Sequence, residues 1–183
     1  MKPFKPFNKK PLSLPLLAVG LCLTFPIRAT AQTFTTLYTF GLDGKGKSPN
    51  TGMILFGDTL YGTTEIGGGI PGGHGTVYRI RTNGTSYSNV HSFTAPSPTP
   101  PYGNLDGSQP AAAVILSGNT LYSTAYVGGS AGLGTVFAVN TNGTGFATLR
   151  SFGGFDGDSP RAGLVLLGNT LYGASYDTIF AIN

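Results

Sequence analysis

The pentapeptide Asp58-Thr59-Leu60-Tyr61-Gly62 returns as Asn119-Thr120-Leu121-Tyr122-Ser123 and again as Asn169-Thr170-Leu171-Tyr172-Gly173. Each time an apolar run precedes it and another strand-like segment follows. A unit written three times must fold three times in a similar way, because each copy offers the same apolar face to a neighbour that resembles itself. Architecture is thereby more constrained than ligand.

Each copy resolves into four short segments. The first covers 34–40, 87–93 and 146–152, beginning and ending in an aromatic with Leu37, Val90 or Leu149 at its middle. The second is Met53-Ile54-Leu55-Phe56, Val114-Ile115-Leu116 or Leu164-Val165-Leu166-Leu167, apolar without alternation, as expected of a strand buried on both faces. Gly57-Asp58, Gly118-Asn119 and Gly168-Asn169 then punctuate, and glycine followed by Asn or Asp between strands signals a hairpin. The third segment is the Thr-Leu-Tyr strand, which ends in small residues suited to close backbone approach. The fourth is 75–80, 134–139 or 178–182, with Tyr78 and Ile80 alternating with polar positions. Asn83-Gly84-Thr85 and Asn142-Gly143-Thr144 separate the copies; they match glycosylation acceptors, but Asn-Gly is first of all turn chemistry.

Four strands joined by short turns make one antiparallel sheet. The repeated leucines lie 61 and 50 residues apart, and a period near 50 with four strands marks propeller blades, kelch-like ones in particular. The longer interval has a visible cause in a loop through Pro96, Pro98, Pro100, Pro101 and Tyr102. The expected fold is all-β: a β-propeller-like array of three four-stranded antiparallel blades, at about 34–83, 87–142 and 146–183, forming an open or incomplete propeller. Closed propellers use about 4–8 blades, so a three-copy chain is an open fan, half of a dimer closing as six, or part of something longer. Self-association or truncation is expected over a closed monomer.

The pattern LYG-T-T-x-x-GG, then G-T-V-[FY], then N-G-T, then S-F-x-x-x-DG-x-x-P resembles the GloVer-type tandem repeats of exported bacterial proteins, a family named for the variety of its surface anchors. The resemblance covers residue 34 onward and implies a secreted or surface-attached, β-propeller-like protein. The chain departs from the pattern in having three copies, in reaching Asn183 without a hydrophobic or basic anchor, and in a third copy that passes from Tyr176 through Asp177 to its last strand with no glycine-rich loop.

Of eleven basic residues, Lys2, Lys5, Lys9, Lys10 and Arg28 lie in the first 31 positions. A basic head, an apolar stretch from Leu12 to Phe25 and Ala29-Thr30-Ala31 before Gln32 form the layout of a secretory signal peptide at 1–31, with cleavage after Ala31. The alternative is an uncleaved anchor, yet the run is shorter than the roughly 20 residues a span needs, and Pro15 interrupts it. No membrane span is expected after cleavage. Six basic and seven acidic residues then remain, so no footprint for a phosphate backbone exists and nucleic acid is not an expected partner. The only cysteine, Cys22, leaves with the leader, so stability comes from packing rather than disulfides.

Motifs of chemistry are few. Residues 41–48, Gly-Leu-Asp-Gly-Lys-Gly-Lys-Ser, match a phosphate loop letter for letter, but Pro49-Asn50-Thr51-Gly52 cannot start the helix such a loop requires. His91 takes the place of Tyr38 and Arg150, and His74 that of Leu133, so both read as surface positions without a local partner for acid–base work. Asp43, Asp106 and Asp156 recur before glycine; they read as turn formers, with weak calcium binding second. No catalytic residue, metal ligand set or cofactor is expected. Binding belongs to the loops at 67–75, 95–104 and 128–134, where Tyr102, Tyr126 and His74 are the candidate contacts, although most tyrosines should be packing. The expected function is that of an exported, non-catalytic module making protein or glycan contacts outside the cell; the alternative is a secreted carbohydrate-active enzyme.

Overall fold

The computed structural model describes residues 32–41, 44–69 and 73–183, so the leader with Ala29 and Ala31 lies outside the described residues, as does Asp43. Residues 35–183 form one unit. It is all-β, with no helix among the described residues: β1 (Ile54–Phe56), β2 (Thr59–Thr64), β3 (Thr76–Arg81), β4 (Ser88–Ser92), β5 (Ile115–Ser117), β6 (Thr120–Ala125), β7 (Thr135–Asn140), β8 (Ala147–Ser151), β9 (Val165–Leu167), β10 (Thr170–Ala174) and β11 (Ile179–Ile182). They pair antiparallel into three sheets, β1-β2-β3-β4, β5-β6-β7-β8 and β9-β10-β11.

Two differences from expectation are informative. The third sheet has three strands, not four. The sheets also run one segment out of phase with the sequence copies, since β4 and β8, each the opening segment of a copy, pair back onto β3 and β7. The reason is local. The Asn-Gly-Thr turns reverse the chain tightly, with Asn83 Oδ1 accepting from Thr85 N at 3.0 Å and Asn142 Oδ1 from Thr144 N at 3.0 Å, so each joins the strands on either side of it. The opening segment of the first copy, 34–40, forms no strand.

The hairpins at Gly57, Gly118 and Gly168 form as expected, with positive φ at the glycine and not at the following Asp or Asn. That is the pattern of a II′ turn rather than I′. The registers match across sheets: Leu60 faces Ile80, Leu121 faces Val139 and Leu171 faces Ile182. β3 and β7 each carry a bulge against the following strand at the same place, Val77/Tyr78 and Val136/Phe137.

The cores lie between sheets. Tyr61, Val77 and Val90 of the first sheet pack with Phe93, Leu121, Phe137 and Val139. Val136 of the second packs with Phe152, Leu164 and Leu171, with Tyr122 and Phe180 against them. Threonine hydroxyls stitch the same junctions: Thr63 Oγ1 donates to Ala112 O at 3.1 Å and Thr124 Oγ1 to Pro160 O at 3.2 Å. Such bonds satisfy carbonyls that the junction removes from water. The small residues closing β2 and β6 therefore do bring neighbouring backbone close, as their composition suggested.

The apolar second segments are not buried on both faces throughout. Successive residues of these strands point to opposite sides, and Ile115 and Leu116 of the middle sheet pack into different cores. In the outer sheets one side is covered only in part among the described residues: Tyr78 and Ile80 of the first sheet are buried, with Phe40 against Tyr78, but Leu55 on the same side and Val165 of the third sheet are exposed.

Candidate functional site

At the loop end between the second and third sheets lies a cleft of about 670 Å³, lined by Tyr126, Asp158, Ser159, Arg161, Ala162, Ala174, Ser175 and Tyr176. Each element contributes for a local reason. Tyr126 follows β6 directly. Tyr176 stands at the corresponding place after β10, where the connection to β11 is only 175–178, against 126–134 in the second sheet and 65–75 in the first. The cleft opens over that short connection. Ser159 has positive φ, as do Ser48 and Gln109 at the matching positions before the repeated proline. Its N–H donates to Leu133 O at 2.8 Å, and the N–H of Tyr176 donates to Asp158 O at 2.9 Å.

The guanidinium of Arg161 sits 3.7 Å from the centroid of the Tyr126 ring, within cation–π distance. Tyr176 is exposed. The cleft thus offers an aromatic face, a planar array of donors held on a second ring, one carboxylate and two serine hydroxyls. This is the equipment for a polyhydroxylated ligand, whose C–H faces stack on rings and whose hydroxyls bond to planar polar groups.

Of the expected contacts, Tyr126 lies in the cleft, while Tyr102 and His74 are not among its lining residues. Tyr102 is exposed on the proline-rich loop, its N–H donating to Thr99 O at 2.9 Å. That loop is fixed by Asn104, whose Oδ1 accepts from Gly107 N and Gly129 N while Nδ2 donates to Thr94 O and Gly107 O. His74 acts through its backbone: its carbonyl accepts the Gln109 N–H at 2.7 Å, the bond that Leu133 makes with Ser159. Arg161, Asp158, Ser159 and Tyr176 were not foreseen. The available signal was Tyr176 standing at the same repeat position as Tyr126.

Two of the recurring aspartates, Asp106 and Asp156, serve the strands. Asp106 is buried and accepts from Thr94 N, Thr94 Oγ1 and His91 Nε2, the last at 3.1 Å. Burial pushes its pKa up, but the bonds from His91 and Thr94 outweigh that and hold the carboxyl below its ordinary range. Asp156 repeats the arrangement with Gly153 N at 2.8 Å and with Arg150, and the Gly153 N–H, then Arg150, lower its pKa. These carboxylates staple the loop after β4 and β8 to its strand, which is the turn role. Among the described residues no group of three His, Cys, Asp or Glu side chains could hold a metal ion.

His91 is corrected here. It is half-buried and has partners: its ring stacks on Phe146 at 3.8 Å, meets Phe93 edge-on at 4.8 Å and bonds to Asp106. The partner comes from beyond the proline-rich loop, where no local motif reveals it. Residues 44–48 of the phosphate-loop match lead into no helix; Lys47 instead pairs with Ile66 as an isolated bridge.

No family model matches the chain, and no curated protein matches it.

Proposed function

We propose that this chain is an exported, non-catalytic repeat module whose sheets form an open propeller-like array of the GloVer type, and that it holds a glycan in the cleft between its second and third sheets. The observation that carries the reading is the Arg161 guanidinium laid over Tyr126 beside the exposed ring of Tyr176. The motifs quoted above support the family, and the basic-apolar-Ala-x-Ala leader supports export, with Gln32 as the first residue of the secreted chain.

The test is a glycan array followed by calorimetry on the best binder. Tyr126→Ala and Arg161→Ala should each weaken binding about tenfold, equivalent to about 1.4 kcal/mol, while Tyr102→Ala leaves it unchanged. No binder on the array, or a binder indifferent to both changes, overturns the glycan reading and leaves a protein partner. New reducing ends on incubation with polysaccharide would overturn the non-catalytic part. N-terminal sequencing of exported protein, expected to start at Gln32, tests the leader.

A further inference from the structure

The three sheets build the same aromatic cluster, but the third is two rings short among the described residues: Arg150 stands where Tyr38 and His91 do, and no ring fills the place of Tyr87 and Phe146. In the first, Tyr38 stacks on Tyr87 at 4.0 Å and 3°, and Phe40 meets Tyr78 at 5.1 Å and 65°. In the second, His91 stacks on Phe146 at 3.8 Å and 12°, and Phe93 meets Phe137 at 5.1 Å and 70°. In the third, Phe152 meets Phe180 at 5.2 Å and 64°. The place corresponding to Tyr87 and Phe146, which lead into the fourth strands, is a groove of about 340 Å³ lined by residues including Arg150, Phe152, Phe180 and Ile182.

The face beyond is exposed as well. Val77 and Val136 are fully buried in the junction ahead of their sheets, whereas Ile179 at the same position is 88% exposed. Val165 and Tyr172, the counterparts of Ile54 and Tyr61, are exposed too. Among the described residues β11 is hydrogen-bonded to β10 alone. An exposed apolar edge of this kind is a template for another strand.

The chain carries that strand. Residues 34–40 align with 87–93 and 146–152, which contain β4 and β8, yet among the described segments they alone form no ladder. Residues 35–40 already lie where the last strand of a preceding sheet would lie. Leu37 O is 2.9 Å from the Cβ position of Gly84, as Val90 O is from that of Gly143, and the Tyr38–Tyr87 stack repeats His91–Phe146. Leu55 is exposed on the side of the first sheet that Phe40 covers only in part, and it corresponds to Leu116, which packs into a core.

We propose that residues 35–40 of a second copy pair antiparallel with β11, completing the third sheet as its fourth strand, and that two chains exchange this contact reciprocally. The side of each first sheet that residues 35–40 partly cover then meets the exposed side of the partner's third sheet, and six sheets close head to tail. A heterologous contact of this kind must close or extend into a filament, and six lies within the usual range of blades. The first two sheets fix the register. Arg79 pairs with Ser88 and Ala138 with Ala147; Ala181 therefore pairs with Thr35. The proposal does not rest on the glycan reading.

The test uses the purified chain with Cys22→Ser as background. Sedimentation over a concentration series should give twice the chain mass. Thr35→Cys with Ala181→Cys, both at exposed positions, should oxidise to a covalent two-chain product that reverts on reduction. Thr35→Cys with Leu167→Cys, on the opposite edge of the sheet, should not. Single-chain mass at every concentration without a crosslink overturns the proposal. So does a crosslinked product of single-chain mass, in which a chain has closed on itself, or an open series of higher masses.

Discussion

β7 and β11 are nearly the same strand in two settings. One reads Thr-Val-Phe-Ala-Val-Asn and the other Ile-Phe-Ala-Ile, with Phe137 and Phe180 in matching register against Ser123 and Gly173. Every residue of β7 except Asn140 is buried, while β11 alternates between exposed and half-buried. Sequence therefore sets the strand and its pairing with the strand before it, and the neighbours set how much burial follows. β7 has β8 beside it and junctions on both faces; β11 has β10 and one junction. Removing the same side chain from both should break the apparent equivalence.

The largest effect is expected there. Phe137 is fully buried among Phe93, Phe146 and Leu121, so Phe137→Ala should cost about 3–5 kcal/mol through lost transfer energy and a cavity. Phe180→Ala, at the matching but half-buried position, should cost roughly 1–2 kcal/mol when the chain is dilute. Urea unfolding measures both. Equal losses would mean that β11 is as enclosed as β7 in solution.

The second expectation compares a junction glycine with a turn glycine. Gly134 has φ 101°, and a Cβ there would stand 2.6 Å from Pro160 Cδ and 2.7 Å from Ala125 O. The proline and the carbonyl belong to the junction and cannot rotate away, so Gly134→Ala should cost about 2–3 kcal/mol. Gly168, at φ 60° in a turn, would place its Cβ in open space, and Gly168→Ala should cost about 1 kcal/mol from backbone conformation alone. Thermal melts that rank the two the other way would show that the second and third sheets are not tightly packed.

These contrasts also show what the sequence reveals. Strand positions were legible because β-branched and aromatic runs alternate with Gly-Asn, Gly-Asp and Asn-Gly turns. Phasing is harder: Asn83-Gly84-Thr85 reads as a hairpin turn between copies, yet its tightness joins β3 to β4. Half-burial of β1 and β9 is hidden, since Leu55 and Val165 are apolar like their counterparts Leu116 and Ile115 in β5, and what separates them is how much of a sheet lies against them. In the cleft, Tyr126 was visible as an aromatic beside a glycine loop. Arg161 was not, because its contact with Tyr126 crosses a junction. The His91–Asp106 pair was invisible for the same reason, with the proline-rich loop folded back between the two.

The smallest effect concerns the two aspartate staples, and pH separates them. Asp106 is buried with three donors, while the Arg150–Asp156 pair is exposed to solvent. Asp106→Asn keeps the shape but weakens charge-assisted bonds, and should cost about 1–2 kcal/mol near neutrality. Asp156→Asn should cost less than about 1 kcal/mol, since water and salt screen the pair. The folded-state pKa of Asp106 lies below its unfolded value. Between the two values the unfolded chain binds more protons, so stability rises with pH across that window. The contribution is complete above the unfolded carboxylate value of roughly 3.9 and fades as acid passes through the lower folded one. Asp106→Asn should therefore unfold with a shallower acid dependence than the parent, the difference between them narrowing as pH falls below about 4. A gap that stays constant down to the acid limit would show that the bonds from Thr94 and His91 do not depend on the charge of Asp106.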